Sequence, residues 1–246
     1  MVQDDPLGAR ETHVTSGGQF VVDDDVVLNA PLFAAIDPSA ARALYDSMTR
    51  IELPRGRSVF QEGDLGDRLY LIGTGAVKLG RKSPDGRENL LSVLGPGEMF
   101  GELSLFDPGP RTATASAVSD TVLHELSHDE LIMWLERYPA VAKHLLGALA
   151  RRLRRTNETL SDLVFADVPG RVAKALLDLS TRFGQQTDDG VRVAHGLTQE
   201  ELAQLVGASR ETVNKALADF TARGWLRREG RTVVLLDVER LDRRTR

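Results

Sequence analysis

The 246-residue chain contains no cysteine. That excludes disulfides, thiolate zinc sites and cysteine-ligated iron–sulfur clusters. It is compatible with a reducing cytoplasm. No apolar run approaches the ~18 residues that a membrane-spanning helix requires, so no membrane partner is expected. The N-terminus lacks a basic stretch followed by an apolar core and does not read as a secretory signal. No histidine lies between Gly56 and Gly109, although a metal site in that region would need a cluster of His and carboxylate ligands. Downstream of Asp167 no catalytic constellation is present, so an enzyme is not expected.

The apolar fraction of 41% suffices for ordinary cores, and the length fits one large or two modest domains. The net charge of −5 is concentrated at one end. Residues 1–29 carry one Arg against six Asp/Glu, and the remainder balances at 30 basic and 30 acidic residues. From Asp167 onward there are 14 basic and 12 acidic residues, a slight basic lean that suits a polyanionic partner. Residues 1–29 lack periodicity and read as a mobile acidic tail, in which VVDDDVVL resembles a helix start.

The organising stretch is Pro139–Phe165, PAVAKHLLGALARRLRRTNETLSDLVF. Ala142, Leu146, Leu149, Leu153, Thr156, Leu160 and Leu163 recur at alternating gaps of four and three, the seam of a two-stranded coiled coil. Pro139 can open the helix, because first-turn amides need no intrahelical partner. The helix would be about 40 Å long at ~1.5 Å per residue. Its spacing predicts a parallel homodimer and a rod joining two halves of the chain. Thr156 interrupts the apolar seam, with Asn157 beside it. Either the polar pair sets the register or a ligand sits there.

Upstream, Asp37-Pro38 supplies a cap and first-turn proline for a short helix whose face carries Leu44 and Met48. Eleven of the 22 glycines fall between Gly56 and Gly109 and punctuate short apolar runs, the pattern of an antiparallel barrel or jelly roll. Ser83-Pro84-Asp85-Gly86 is a hairpin turn within it. His124-Glu125-Leu126-Ser127-His128 spells the zinc-protease pattern H-E-x-x-H, which requires both histidines on one helix. Here TVLHEL reads as a strand, and Ser127 with Glu130 reads as a capping box opening the next helix. The arginines at 151, 154 and 155 read as solvated flanks of the long helix.

Phe100–Ala115, FGELSLFDPGPRTATA, has the chemistry of an anion site. Gly101 permits close backbone approach. Glu102-Leu103-Ser104 forms the first turn of a short helix with free amides. Arg111 returns one loop later beside Thr112, and a guanidinium fork suits phosphate. Glu102 then makes sense as the acceptor of a sugar hydroxyl, or as a structural partner for Arg111.

Beyond Phe165-Ala166-Asp167-Val168-Pro169-Gly170, read as a hinge, Arg171–Phe183 is a further amphipathic helix. The stretch LTQEELAQLVGASRETVNKALADFTARGWL then reads as a helix-turn-helix. Thr198 and Glu201 form a capping box, Gly207 makes the turn, and Ser209 caps the second helix. Leu202, Leu205, Val213, Leu217 and Phe220 face inward. Arg210 can pair with guanine, Glu211 with cytosine N4, and Lys215 with a further guanine or phosphate. Thr198, Ser209 and Thr212 are phosphate-contact candidates, and RREGR lies in a hairpin wing.

The G-E-L-S-L and R-T-A-T-A runs resemble the phosphate-binding cassette of cyclic-nucleotide-binding domains. Over about residues 30–240 the chain is similar to bacterial transcription regulators of the CRP/FNR family, in the cyclic AMP receptor protein branch and its actinobacterial members. The resemblance implies an α+β fold. After the tail at 1–29 come a β jelly-roll domain at 30–138, a dimerisation helix at 139–166 and a winged helix-turn-helix domain at 167–246. It implies cyclic AMP as effector, held by Gly101, Glu102, Leu103, Ser104, Arg111 and Thr112. Glu102 would take the ribose 2′-hydroxyl. Arg152 would lie near Glu102, Thr156 would meet the adenine in the same subunit, and Asn157 would reach it from the partner subunit. Palindromic double-stranded DNA with TGTGA-like half-sites and RNA polymerase are the implied partners. The family usually carries arginine where Lys215 stands, and lysine lacks its bidentate fork. The rival readings are another effector, including a cyclic dinucleotide, DNA binding without any effector, and a nucleotide-gated enzyme.

Overall fold

Short apolar runs broken by glycine leave unpaired backbone groups, which they satisfy by pairing with one another. The computed structural model describes residues 23–30, 33, 36–83, 85–107 and 109–245. Its first eight strands are β1 (Thr49–Leu53), β2 (Ser58–Phe60), β3 (Arg68–Thr74), β4 (Val77–Lys82), β5 (Glu88–Leu94), β6 (Met99–Phe100), β7 (Thr114–Ala117) and β8 (Thr121–Ser127). They form two antiparallel sheets in the orders β1-β8-β3-β6 and β2-β7-β4-β5. Tyr70, Ile72, Val77, Leu79, Phe100 and Leu123 fill the space between them. This is the expected roll. The β4–β5 turn closes through Ser83, whose N–H donates to Arg87 O at 2.9 Å, while Gly86 takes φ +83°; Pro84 lies outside the described residues.

Four short helices cover or interrupt the roll: α1 (Asp23–Leu28), α2 (Pro38–Ser47), α3 (Leu103–Phe106) and α4 (His128–Arg137). Asp37 caps α2 by accepting from Ser39 and Ala40 N–H. Ser127 and Glu130 form the expected capping box on α4. His124 therefore lies on strand β8 and His128 opens helix α4, so the two are not on one helix. The expectation of a mobile tail through residue 29 is corrected at its end. Residues 23–28 are helical, and Val27 and Ala30 are buried in the cluster of Leu44, Leu69 and Leu126. Burial of that apolar pair offsets the entropy of ordering the turn. Residues 1–22 lie outside the described residues.

The long helix is α5 (Pro139–Phe165). Val141 and Leu145 bury against the roll, whereas Leu146, Leu153 and Leu160 are 66%, 62% and 62% exposed. The C-terminal half comprises α6 (Val168–Phe183), β9 (Gly184–Thr187), β10 (Gly190–Val193), α7 (Gln199–Val206), α8 (Arg210–Ala222), β11 (Leu226–Glu229), β12 (Thr232–Leu235) and α9 (Val238–Arg244). Its sheet runs β11-β12-β10-β9, so the wing hairpin is extended by a second hairpin that sequence reading did not anticipate. Helix α6 also begins three residues before the expected Arg171. Asp167 accepts from Gly170 N–H at 2.9 Å, and Pro169 sits in the first turn, where its missing donor costs nothing. That cap outweighs the bias of the residue before proline.

The two halves share one core. Ala76, Leu90, Val93 and Val118 of the roll pack into the same buried cluster as Val172, Leu176, Leu179, Leu197 and Leu202. Polar contacts rim it: Lys78 pairs with Glu201, Arg182 Nε reaches Glu98 at 3.0 Å, and Arg55 donates to Gly196 O at 2.8 Å.

His195 is buried beside this junction. Its Nδ1 accepts from Leu197 N–H at 3.1 Å, which places the proton of the neutral ring on Nε2. Burial lowers its pKa from 6.5 to about 4, against a smaller opposing pull from Glu201. Below pH 6.5 the unfolded chain binds this proton more readily than the folded one, so His195 destabilises the fold as pH falls from 6.5 toward 4. Above pH 6.5 that penalty is absent. Thermal unfolding of a His195→Gln variant between pH 7 and 4 should show a flatter pH dependence than the parent; equal slopes would show that the ring is not the titrating group.

Candidate functional site

The cassette is built on a reversal between β6 and β7. Gly101 has φ +84°, and a Cβ there would come within 2.9 Å of Arg111 Nη1 and 3.0 Å of Arg68 O. The glycine therefore lets the chain pass close to the arginine. Glu102 is 1% exposed and Ser104 is 8% exposed, while Leu103 and Thr112 face outward. Helix α3 spans only four residues. The short helix expected at Glu102-Leu103-Ser104 is present with Glu102 at its N-cap, and a single turn sums few peptide dipoles.

Arg111 is 5% exposed. Its Nη1 donates to Gly101 O at 2.7 Å and its Nη2 to Arg68 O at 2.8 Å. The Arg68 side chain in turn pairs with Glu125 on β8. Burial pulls the Arg111 pKa below the ordinary arginine value, although a guanidinium remains charged at any physiological pH. Arg111 Nε is buried with no hydrogen-bond partner among the described residues. Glu102 pairs not with Arg111 but with Arg152 of α5, at 2.7 Å from Oε1. Its Oε2 is likewise buried and unpartnered. A buried orphan polar atom costs about 1–3 kcal/mol. One orphan donor and one orphan acceptor thus lie in the same cassette, the pairing that a phosphate beside a hydroxyl would satisfy.

Gly66 is a member of this site that sequence reading missed. A Cβ there would lie 2.6 Å from both Cζ and Nε of Arg111 and 2.8 Å from Ser104 Cβ. Gly66→Ala should displace the guanidinium and weaken binding of a phosphate-bearing ligand by about tenfold or more, since even ~1 Å of misplacement is costly in a fitted site. Calorimetric titration checks this; unchanged affinity would mean that Arg111 is not held by this approach. The sequence signal was only a glycine in the unremarkable run DLGDR.

On α5 the polar notch is exposed in the single chain. Thr156 Oγ1 donates back to Arg152 O at 3.1 Å, one turn from the Glu102–Arg152 pair. Asn157 is exposed beside it. Arg155 is exposed, as expected of a solvated flank, and also reaches Glu98 at 3.3 Å. Glu98 also binds Arg182 of α6 and accepts from Gly95 N–H at 2.9 Å. One carboxylate next to the cassette strand therefore touches both the long helix and the C-terminal half.

The second candidate face is on α7 and α8. Thr198 and Glu201 form the capping box, Gly207 is left-handed at φ +68°, and Ser209 accepts from Thr212 N–H. Arg210, Glu211, Thr212 and Lys215 are all exposed. Lys215 Nζ pairs with Glu211 at 2.8 Å, one helical turn away. The inward face holds Val213, Leu217 and Phe220, with Leu205 only partly buried. An open cavity of about 390 Å³ joins Thr198, Gln199 and Arg210 to the wing turn at Gly230 and Arg231. Arg231 thus shares a concave, partly basic face with the helix-turn-helix, a placement that a basic wing sequence alone does not specify. Among the described residues no helix is long and apolar enough to cross a membrane, and no side-chain group could hold a metal ion.

A roll carrying this cassette, a long helix and a helix-turn-helix with a wing define an effector-domain regulator of transcription rather than an enzyme. Residues 50–138 match the cyclic nucleotide-binding domain family and residues 170–244 match the Crp-like helix-turn-helix domain. A CRP-like cAMP-activated global transcriptional regulator of Mycobacterium tuberculosis is 56% identical, covering 91% of this chain and 100% of the relative. The cyclic AMP receptor protein of Thermus thermophilus is 39% identical over 80% of this chain and 88% of its own. Among solved structures, the c-di-GMP responsive global regulator CLP of Xanthomonas campestris matches with a TM-score of 0.67 at 30% identity, covering 81% of this chain and 99% of that one. The chain belongs to the CRP/FNR family of transcription regulators.

Proposed function

We propose that the protein is a cytoplasmic homodimer whose affinity for palindromic DNA is set by cyclic AMP. The carrying observation is the orphan pair in the cassette, Arg111 Nε and Glu102 Oε2, next to the Glu102–Arg152 link to α5. In this reading Arg111 and Thr112 take the cyclic phosphate, with Gly101, Leu103 and Ser104 lining the pocket. Glu102 accepts from the ribose 2′-hydroxyl. Thr156 and the partner's Asn157 meet the adenine. The proposed boundaries are a roll at 30–138 with helix α1 packed onto it, the helix at 139–166 and the reader at 167–246.

The exposed Leu146, Leu153 and Leu160 support pairing of α5 with a second copy, since a periodic apolar stripe of this length is costly to leave in water. Arg210, Glu211 and Lys215 read base edges in TGTGA-like half-sites about one helical turn, roughly 34 Å, apart. Thr198, Ser209 and Thr212 contact phosphates, and RNA polymerase is the onward partner. Ligand at the notch repacks the seam. The double link of Glu98 to Arg155 and Arg182 favours transmission of that change to α6. The shift can be no larger than the ligand's differential affinity for the two states.

Sedimentation velocity at micromolar concentration tests the assembly. The expected mass is twice the chain's 27.0 kDa. A monomer in the presence of both nucleotide and operator would remove the coupling device. Cyclic di-GMP in a parallel calorimetric titration separates the effector readings, because tight binding of the dinucleotide with none of cyclic AMP would reassign the pocket.

A further inference from the structure

We propose that Phe60 is a positioning residue for the anion-binding guanidinium of Arg111, its ring serving as the platform that keeps the unpartnered Nε edge available to the ligand's phosphate. The proposal rests on the reading of Arg111 as the phosphate group. The Cζ of Arg111 lies 4.2 Å from the centroid of the Phe60 ring, well within cation–π range, whereas the Tyr70 ring is at 6.0 Å. Two guanidinium nitrogens are tied to the carbonyls of Gly101 and Arg68, and Gly66 leaves open the space beside Cζ and Nε that a Cβ there would fill. The ring and the two carbonyls together fix the plane of the group.

The backbone is irregular where this contact is made. Residues two apart on a regular strand point to the same face. On β2, Ser58 lies opposite Ser116 and faces out, its Oγ 3.2 Å from that of Ser116. Phe60 should therefore also face out. The register shifts between them, so that Phe60 lies opposite Ala115, which is fully buried. A break in register re-aims the side chains that follow it. Here it turns an aromatic ring on an edge strand beneath Arg111. Phe60 also touches the rings of Tyr70 and Phe100, at 6.0 and 5.9 Å, but it remains only partly buried at the rim of that cluster. The close, face-on contact is the one with the arginine.

An aromatic platform suits arginine specifically. A guanidinium is planar and weakly hydrated, so it stacks without losing its in-plane donors. An aliphatic side chain at position 60 would fill part of the space but would leave the plane free to tilt. The role is one of orientation, and Phe60 itself need not touch the ligand.

The test compares Phe60→Leu with the conservative Phe60→Tyr in the full-length protein, by calorimetric titration with cyclic AMP and by the Arg111 Nε–H resonance in nitrogen-15 NMR. Phe60→Leu should weaken cyclic AMP binding by about fivefold to tenfold, the scale of a partly desolvated cation–π contact. Phe60→Tyr should stay within about twofold of the parent, since its ring retains the same face. In the parent, the Arg111 Nε–H signal should show an upfield ring-current displacement that Phe60→Leu removes, and cyclic AMP should move it further. Parental affinity in Phe60→Leu, or equal losses in both variants, would overturn the platform. If Phe60→Leu does not fold, the parent spectrum decides, because an Nε–H signal without ring-current displacement contradicts the stacking. An Nε–H signal that is displaced by the ring but unmoved by cyclic AMP would overturn the phosphate reading of Arg111 instead.

Discussion

Arg111→Ala should lose cyclic AMP binding by at least about a hundredfold, while the protein stays folded. Charge-assisted hydrogen bonds contribute roughly 1.5–3 kcal/mol each, and two of them to one phosphate amount to two or more decades of affinity. In this reading the orphan Nε is the donor that the phosphate takes, so losing it weakens the ligand-bound state. Removal of the side chain also frees the carbonyls of Gly101 and Arg68, so the cassette loosens locally. Arg111→Lys separates the two effects. It keeps a charge but lacks the planar fork, and it should recover only part of the affinity. Equal calorimetric titrations for Arg111→Ala and the parent would remove the phosphate assignment.

Arg210→Ala should weaken binding to a TGTGA-type palindrome by roughly 1–3 kcal/mol per half-site while leaving affinity for random duplex nearly unchanged. Arg210 opens the second helix of the reader, exposed beside Thr198 and Arg231 on one concave face. Lys215, one turn further on, is exposed and paired with Glu211, and in the proposed reading its ammonium offers a point charge where an arginine would offer a bidentate fork. In that reading the specificity of α8 leans on its first turn. An electrophoretic mobility-shift titration checks the ratio. Were Arg210→Ala to weaken both duplexes equally, Arg210 would be a phosphate contact and not a base reader.

Much of the fold was legible because its signals are local. Proline at the start of α5, the a/d spacing along it, the capping boxes Ser127/Glu130 and Thr198/Glu201, and the left-handed Gly207 each specify a few residues by themselves. The β9–β10 hairpin was not legible, because GQQT carries no apolar alternation and all four of its residues are exposed. The shared core was hidden for a different reason. Leu90, Val93 and Val118 look like ordinary roll residues, and no short-range pattern says that they face α6 and α7 instead.

The candidate site shows the same division. Glu102 and Arg111 stood out by residue type. That Glu102 pairs with Arg152, 50 residues on, came only from family resemblance, and the geometry agrees. Gly66 and Phe60 were invisible because only tertiary packing brings them beside Arg111.

The most direct measurement is the affinity for a fluorescent palindromic duplex, at one fixed salt concentration, with and without saturating cyclic AMP. Coupling energies between two sites are typically about 1–3 kcal/mol, so affinity should rise by roughly fivefold to a hundredfold with nucleotide. By reciprocity, cyclic AMP should bind the DNA complex more tightly by the same factor. Identical DNA affinities in both arms, with cyclic AMP demonstrably bound, would contradict a nucleotide-controlled reader.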